Sequence, residues 1–326
     1  MRILAESDIR RLMPLSLAVV SAVEEGFRAL GLGMVSTPPI VRLDLPESHG
    51  EIDIKTAHVR GWDTFAVKMS TGFFDNPARG LPSGNGLMVL FSAEIGAPVA
   101  LLLDGGYLTT VRTAAAGAVA ARWLAPECVE TVRLVGSGVQ AWFQLCALAL
   151  VRPYRRVLVW SPTSDHARQL AERATRELHR EAQAIPDLER VVRDSDVVVT
   201  ATPSAVPLVR AAWLHAGQHI TAVGADAPSK QELDGDVWRR ADVAVCDVRA
   251  QALTLGDSRR GVETGSLDPA RLLELGAVVA GRRPGRTAPG QVTVCDLTGT
   301  GMQDTAVVRL TYRRASDGLV GQELPP

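Results

Sequence analysis

The chain has little of what organises metal-bound, disulfide-stapled or membrane proteins. Its four cysteines, Cys128, Cys146, Cys246 and Cys295, show no CxxC or Cys/His ligand spacing. That argues against zinc and a disulfide framework, and reduced, largely buried thiols are expected instead. The six histidines, His49, His58, His166, His179, His215 and His219, form no metal spacing and no pair. No G-x-S-x-G or Cys/His arrangement for nucleophilic catalysis is present. Aromatic residues make up only 5% of the chain, and no apolar run approaches bilayer length. The first eight residues lack a signal-peptide core, so the cytoplasm is the expected compartment and no membrane partner is expected. Charge of either sign is not in excess: 35 basic against 36 acidic residues leave a net charge of −1, which gives nucleic acid no handle.

What is present is ordinary for a globular protein, with 46% hydrophobic and 22% charged residues over 326 positions. That length suits two domains. Ser7 to Leu12 reads as a capped short helix, and Pro14 to Leu32 as an amphipathic one, with Leu15, Val19, Val20, Val23 and Phe27 at helical spacing. Strand-like pieces follow at 40–44, 51–55, 64–69, 87–91 and 98–103, separated by Gly and Pro turns. This first third reads as a mostly antiparallel sheet. Leu108 to Leu124 reads as an alanine-rich helix carrying Arg112 near its start. Beyond Thr131 strands at 131–135, 156–160, 197–201, 219–223, 243–246 and 292–295 alternate with helical stretches, among them 164–180 and 268–275. Such alternation implies a parallel, doubly wound sheet. After Asp304 a final helix is expected to return to the first domain, and the tail from Ser316 to be weakly ordered. The expected division is 1–118 with 305–326, and 119–304.

The second domain is organised around Val132-Arg133-Leu134-Val135-Gly136-Ser137-Gly138-Val139-Gln140-Ala141. A strand runs into G-x-G-x-x-A and then a helix. Gly136 permits the tight turn, Gly138 lets backbone approach a pyrophosphate, and Ala141 lets helix pack on strand. With a second strand at βαβ spacing, dinucleotide binding is the reading. An acid about 20 residues past the glycines marks NAD enzymes. Here the second strand ends Trp160-Ser161-Pro162-Thr163, and Ser161 lies 161 − 136 = 25 positions beyond Gly136. Hydroxyls of Ser161 and Thr163, with Arg168 nearby and no carboxylate before Asp165, favour NADP slightly over NAD.

Taken with this motif, Lys68, Leu81-Pro82-Ser83-Gly84-Asn85-Gly86, Thr110 to Ala116, Gly224 to Leu233 and Asp296-Leu297-Thr298-Gly299 resemble the ornithine cyclodeaminase/mu-crystallin family, in order and over nearly the whole chain. The resemblance implies a two-lobed α/β fold: a Rossmann domain for NAD or NADP, and an α+β domain that binds substrate and forms a homodimer. It implies a nicotinamide-dependent reaction at the Cα–N bond of a small amino or imino acid. The activity the resemblance implies is that of an imine reductase or amino acid dehydrogenase. The alternatives are a cyclodeaminase, which releases ammonia and regenerates its cofactor, or a nucleotide binder without turnover.

The resemblance also assigns roles. Arg112, in the L-x-x-x-R-T-A-A segment, would take the substrate carboxylate, where bidentate geometry suits it. Lys68 would be the second cation, and it is also placed in catalysis. Ser83 joins the substrate set. Arg42 is matched only by its strand, and a solvated surface charge explains it equally well. Asp226, directly after a strand at the ligand-binding edge of the sheet, would handle the proton once desolvation raises its pKa. Lys230 fits a position near the cofactor or a helix surface. Beside the glycine loop, Arg112, Thr113, Thr200, Ala201, Thr202, Val223, Gly224, Asp226, Thr298 and Gly299 complete the expected cofactor contacts. Two positions depart from the family. Leu297 stands where many members carry Ser. Lys55 stands, by ungapped counting from Lys68, where cyclodeaminases carry a carboxylate for the substrate's distal amine. A lysine there repels that amine, so the expected substrate is neutral or carries a second anion, unless Lys55 merely faces solvent.

Overall fold

A computed structural model describes residues 1–325, which form two compact units: Met1–Arg112 together with the chain from Thr300 onward, and Thr113–Gly299. The division falls inside a helix at Arg112, and again at Thr300; the sequence reading put both cuts a few residues later.

The first unit is built on one sheet. Its strands are β1 (Arg2–Ala5), β2 (Val35–Ser36), β3 (Val41–Leu45), β4 (Gly50–Val59), β5 (Thr64–Phe73), β6 (Gly84–Ser92) and β7 (Pro98–Leu103). The order β1-β7-β6-β5-β4-β2 is antiparallel except where β1 runs parallel to β7, and β3 pairs with β4. Period-two alternation buries Ala57 and Val59 of β4, Ala66 and Lys68 of β5, Met88 and Leu90 of β6, and Ala100 and Leu102 of β7. The helix Gly301–Asp317 packs on β4 and β5 and against α2 (Leu17–Gly31), which follows the short α1 (Glu6–Leu12). Two glycines permit this close packing. A Cβ on Gly26 would sit 2.0 Å from Met302 Sδ, and one on Gly301 would lie 2.4 Å from the backbone of Thr56. Thr305 then stitches helix to sheet, its Oγ1 donating to Ala57 O (2.8 Å) and accepting from Ala66 N–H (3.1 Å).

Helix α3 (Tyr107–Leu124) contains the division between the units. The second unit is a wholly parallel sheet. Its strands are β8 (Thr131–Val135), β9 (Arg156–Trp160), β10 (Glu181–Ala184), β11 (Val197–Thr200), β12 (His219–Ala222), β13 (Val243–Cys246), β14 (Leu273–Glu274) and β15 (Thr293–Asp296), ordered β10-β9-β8-β11-β12-β15-β13-β14. Strands β8, β11, β12, β13 and β15 are buried at every position, as a sheet covered on both faces requires. Helices α4 (Val139–Val151) and α5 (Ser164–Leu178) are the first two crossovers. The strand order reverses between β8 and β11, where doubly wound sheets bind ligands.

Three expectations need correction. The stretch 268–275 is not a helix: Asp268 closes a single turn by accepting from Ala270 N–H (2.9 Å), and the chain then pairs as β14 before a short helix at Leu275–Val279. The C-terminal tail is held, because Gln322–Glu323 adds an antiparallel strand to the edge of β1. Of the thiols, Cys246 and Cys295 are buried but Cys128 is exposed. Among the described residues no helix is long and apolar enough to cross a membrane.

Candidate active site

The glycine loop of the second unit has the shape its residues predict. Gly136 has φ +119°, and a Cβ there would lie 2.6 Å from Ala201 O, so strand β11 excludes any side chain. Gly138 caps α4 with ordinary extended geometry, and the space a Cβ would enter there is open. Val139, in the helix's first turn, is 67% exposed, whereas Ala141 is fully buried against the sheet. An open glycine cradle at the N-terminus of a thirteen-residue helix fits a diphosphate. Ser137 Oγ lies 3.0 Å from Ser161 Oγ, joining the loop to the end of β9. Thr163 is exposed at the N-cap of α5, and Gln140 is half-buried. Arg168 is engaged by Asp165, three residues away on the same helix, and both are largely exposed.

Farther along the same sheet edge, a carboxylate that the sequence reading passed over ties the loops together. Glu232 is fully buried. Its Oε2 accepts from Thr200 Oγ1 and Gly224 N–H, both at 2.7 Å. Its Oε1 accepts from Thr202 N–H (2.6 Å) and Thr202 Oγ1 (2.8 Å). Burial raises its pKa, and the four donors oppose the rise. Thr200 and Thr202 therefore spend their hydroxyl protons on Glu232. A Cβ on Gly224 would come within 2.6 Å of that carboxyl group, so glycine is required. The Glu232 and Leu233 amides donate to Asp257 Oδ1 (2.9 and 3.0 Å). Asp247 in turn accepts from Thr298 Oγ1 (2.9 Å) and Gly299 N–H (2.6 Å). Asp296 is pushed up to about 7, by burial first and by the neighbouring Asp247 charge. Leu297 is buried, and its N–H donates to Ala222 O at 2.9 Å. Val223 is buried, with its N–H on Thr200 O at 3.0 Å.

Asp226 follows β12 by four residues and pairs with Lys230 Nζ at 2.6 Å, one helical spacing away. Its side chain is 40% exposed, so the desolvation expected from the sequence is not seen. Thr113, at the start of the unit, accepts on its carbonyl from Gln144 Nε2 at 3.0 Å.

In the first unit the expected substrate cations are gathered around an acid. Lys68 (2% exposed) and Arg112 (4%) both pair with Asp304, which is fully buried. Lys68 Nζ lies 3.4 Å from Oδ2, and Arg112 Nε donates to Oδ1 at 3.0 Å. Arg112 Nη1 also donates to Gln303 Oε1 at 2.8 Å. Lys55, 5% exposed, is paired in register directly opposite Lys68. Burial pushes Lys68 down to about 7; Asp304 resists this, while the charges of Arg112 and Lys55 add to it. The three cations hold Asp304 below the usual carboxylate range against the cost of its burial. Lys55 is thus not a solvent-facing strand lysine.

Two expected residues stand apart from this cluster. Arg42 is engaged by Asp44 (2.9 Å), Glu51 (2.5 Å) and Asp53 (3.6 Å), which neutralise it for any anionic substrate. Ser83 is exposed in the turn before β6, and its carbonyl accepts from Phe73 N–H at 2.7 Å. Asp304 and Glu232 were the misses. Glu232 lies in a segment already singled out and Asp304 only marks where the last helix is expected to begin, and an acid in a helix's first turn, or in a loop, is common on surfaces. Only the packing shows these two to be buried.

Comparison with known proteins gives a consistent picture. The ornithine cyclodeaminase/mu-crystallin family matches residues 2–319. An uncharacterized cyclodeaminase of Sinorhizobium fredii is 47% identical, covering 98% of both chains. Iminosuccinate reductase of Paracoccus denitrificans is 33% identical, covering 99% of both. Among solved structures, Delta(1)-pyrroline-2-carboxylate reductase of Thermococcus litoralis, in complex with NADH and L-proline, superposes with a TM-score of 0.94 at 28% identity, covering 99% of this chain and 100% of that one.

Proposed function

The chain belongs to the ornithine cyclodeaminase/mu-crystallin family, and on that premise we propose that it is an oxidoreductase moving hydride between a nicotinamide dinucleotide and the Cα of a small amino acid/imino acid pair. The observation that carries this reading is the buried Lys68–Arg112–Asp304 cluster. Two cations oriented by an internal acid on a closed sheet face are a carboxylate site, and a surface charge needs no such counter-ion.

Arg112 and Lys68 bind the substrate carboxylate, and Asp304 with Gln303 fixes their direction. Asp226, which Lys230 Nζ meets at 2.6 Å, takes the proton from the amine or returns it to the imine nitrogen. Gly136, Ser137, Gly138, Val139 and Gln140 receive the diphosphate. Thr200, Ala201, Thr202, Val223, Gly224, Thr298 and Gly299 line the nicotinamide side, locked by Glu232 and Asp247. When bound, the dinucleotide supplies or accepts the hydride. For the cofactor we infer NAD(H) rather than NADP(H), against the slight lean of the sequence. Arg168 is engaged by Asp165 rather than set for a 2′-phosphate, and the Thermococcus reductase holds NADH. The first unit serves as substrate and dimerisation domain of a homodimer, and the compartment is the cytoplasm.

A cyclodeaminase is the second reading, favoured by the name of the 47% identical relative. A binder without turnover has no use for a proton-handling acid such as Asp226. The test offers NADH or NADPH with 2-oxo acids plus ammonia and with cyclic imines, and diamino acids with a catalytic amount of NAD⁺. Consumption of cofactor in step with substrate supports the proposal. Ammonia release from a diamino acid without net cofactor change favours the cyclodeaminase, and silence across the panel refutes both.

A further inference from the structure

Behind the loops assigned to the nicotinamide side, the second unit buries three acids at 1% exposure or less: Glu232, Asp257 and Asp296. One short stretch of backbone joins them. Asp257 Oδ1 accepts from the Glu232 and Leu233 amides, and the next residue, Ser258, donates to Asp296 Oδ2 from its N–H (2.8 Å) and Oγ (2.7 Å). On the other side of Asp257, a Cβ on Gly256 would lie 2.3 Å from that same Oδ2, so the Asp296 carboxyl rests on this backbone. The cations of the surrounding helices and loops are engaged elsewhere: Arg259 and Arg260 with Glu263, Arg239 with Asp236, Lys230 with Asp226, and Arg249 with the Leu272 carbonyl. The remaining ionisable neighbours, Asp247, Glu274, Cys246 and Cys295, bring no positive charge. One oxygen on each aspartate, Asp257 Oδ2 and Asp296 Oδ1, is buried and meets no protein donor. Glu232 differs, because four donors fill both of its oxygens. An ionised oxygen without a donor keeps the whole cost of losing its water, whereas a protonated one becomes a donor itself. Among the described residues no three acids, histidines or cysteines are arranged to hold a metal ion, so a proton is the occupant this geometry suits. Burial raises both aspartates, and neighbouring charges add to it: Asp296 and Glu232 act on Asp257, and Asp247 acts on Asp296, which reaches about 7.

We propose that Asp257 and Asp296 together keep one proton at neutral pH while Glu232 stays charged, and that this proton holds the nicotinamide-side loops in place, so that the grip on the dinucleotide weakens when it leaves in alkali. This rests on the reading above, in which Thr202, Gly224, Thr298 and Gly299 line the cofactor. Asp257 is then a positioning residue that acts through Glu232. Its carboxyl fixes the Glu232 backbone, and Glu232 in turn fixes the Thr202 and Gly224 amides. Asp296 stands immediately before the Leu297-Thr298-Gly299 segment. Loss of the proton leaves three like charges tied to one stretch of chain, and the strain is relieved by moving the loops that Glu232 and Asp296 anchor. The sign follows from the direction of the shift. An acid raised in the folded state holds a proton that the unfolded chain has lost, so its contribution is present in acid and disappears as pH rises from about 4 through the folded value. The two aspartates titrate as a pair, and the proton belongs to both.

The test uses the full-length protein and has two arms. The first is infrared difference spectroscopy without cofactor, which reads the carbonyl stretch of a protonated carboxyl. Wild type minus Asp296→Asn is expected to show that band at pH 6.5 and to have lost it by pH 9. Asp257→Asn should remove the same band, because an amide at either position supplies the donor permanently and lets the other acid ionise. The second arm is a fluorescence titration with NADH over the same pH range. The wild-type Kd is expected to rise about 10-fold, one pK unit of coupling being a factor of ten, while the Kd of Asp296→Asn stays within about 2-fold. A wild-type spectrum that matches both variants at every pH overturns the proposal. So does a band that titrates while the NADH Kd stays flat in wild type, or climbs equally in the variant. Should one variant not fold, the other takes its place, and if neither folds the wild-type band and its loss in alkali decide. NADH bound at no pH defeats the dinucleotide reading and the grip with it, while the band still shows by itself whether the proton is held.

Discussion

Replacing Asp304 by Asn tests the charge reasoning most sharply, because the change is isosteric: it removes the negative charge and turns one acceptor oxygen into a donor. Asp304 faces Lys68 at 3.4 Å and Arg112 at 3.0 Å, all three being almost fully buried. At an effective dielectric near 20, one unit pair at such distances is worth roughly 5 kcal/mol before the cost of burying the acid is subtracted. Measured losses on breaking a buried pair run about 3–5 kcal/mol. Asp304→Asn should therefore lower Tm by roughly 10 °C. Asp304 is held below the ordinary carboxylate range, so its contribution is present above about pH 4 and lost as pH falls through its lowered folded value. The gap to wild type should thus narrow in acid. The variant should also change function with a definite sign. Lys68 sits at about 7 with Asp304 holding it up. Without the acid its pKa falls, and the cation survives only at lower pH. The alkaline limb of kcat/KM should move down by about one pH unit or more, each unit being about 1.36 kcal/mol. Asp304→Glu, which keeps the charge, should shift that limb less. Equal Tm and an unmoved limb in Asp304→Asn would refute the reasoning.

The two glycines of the loop should fail differently. Gly136→Ala meets Ala201 O at 2.6 Å with φ at +119°, and should cost about 1–3 kcal/mol of stability as well as cofactor affinity. Gly138→Val enters open space and should leave Tm within a degree or two while raising the cofactor Kd at least about 10-fold; a fluorescence titration beside a melting curve checks both. Glu232→Gln turns one of its acceptor groups, which together receive four donors, into a donor itself. It should cost about 2–3 kcal/mol and weaken cofactor binding, as urea unfolding and the same titration would show. L-Ornithine should not be cyclised; efficient formation of proline with ammonia release would contradict the role given to Lys55.

Much of this was legible because each local choice agreed with its neighbours. Valine-rich strands alternating with helices told of the parallel sheet, and Gly136, Gly138 and Ala141 told of its phosphate loop, since those constraints act within ten residues. Lys68 and Arg112 were found from their segments, but Asp304, which orients them, lies 192 positions from Arg112 and reads locally as an ordinary first-turn acid. Glu232 was hidden similarly: its four donors come from three separate residues brought together only by the β11/β12 pairing. Arg42 misled for the opposite reason, since three carboxylates around it come from cross-strand register and the strand's own alternation. The tail looked loose because the edge of β1 that captures Gln322 and Glu323 is more than 300 residues away.

The most direct test of the central claim is the ratio of NADH consumed to imine converted by the wild-type protein in a closed reaction. The account predicts one NADH oxidised per amino acid formed, with Asp226→Asn still binding cofactor but turning over at least about 100-fold more slowly. Product formed with no net loss of NADH, or undiminished turnover by Asp226→Asn, would contradict it.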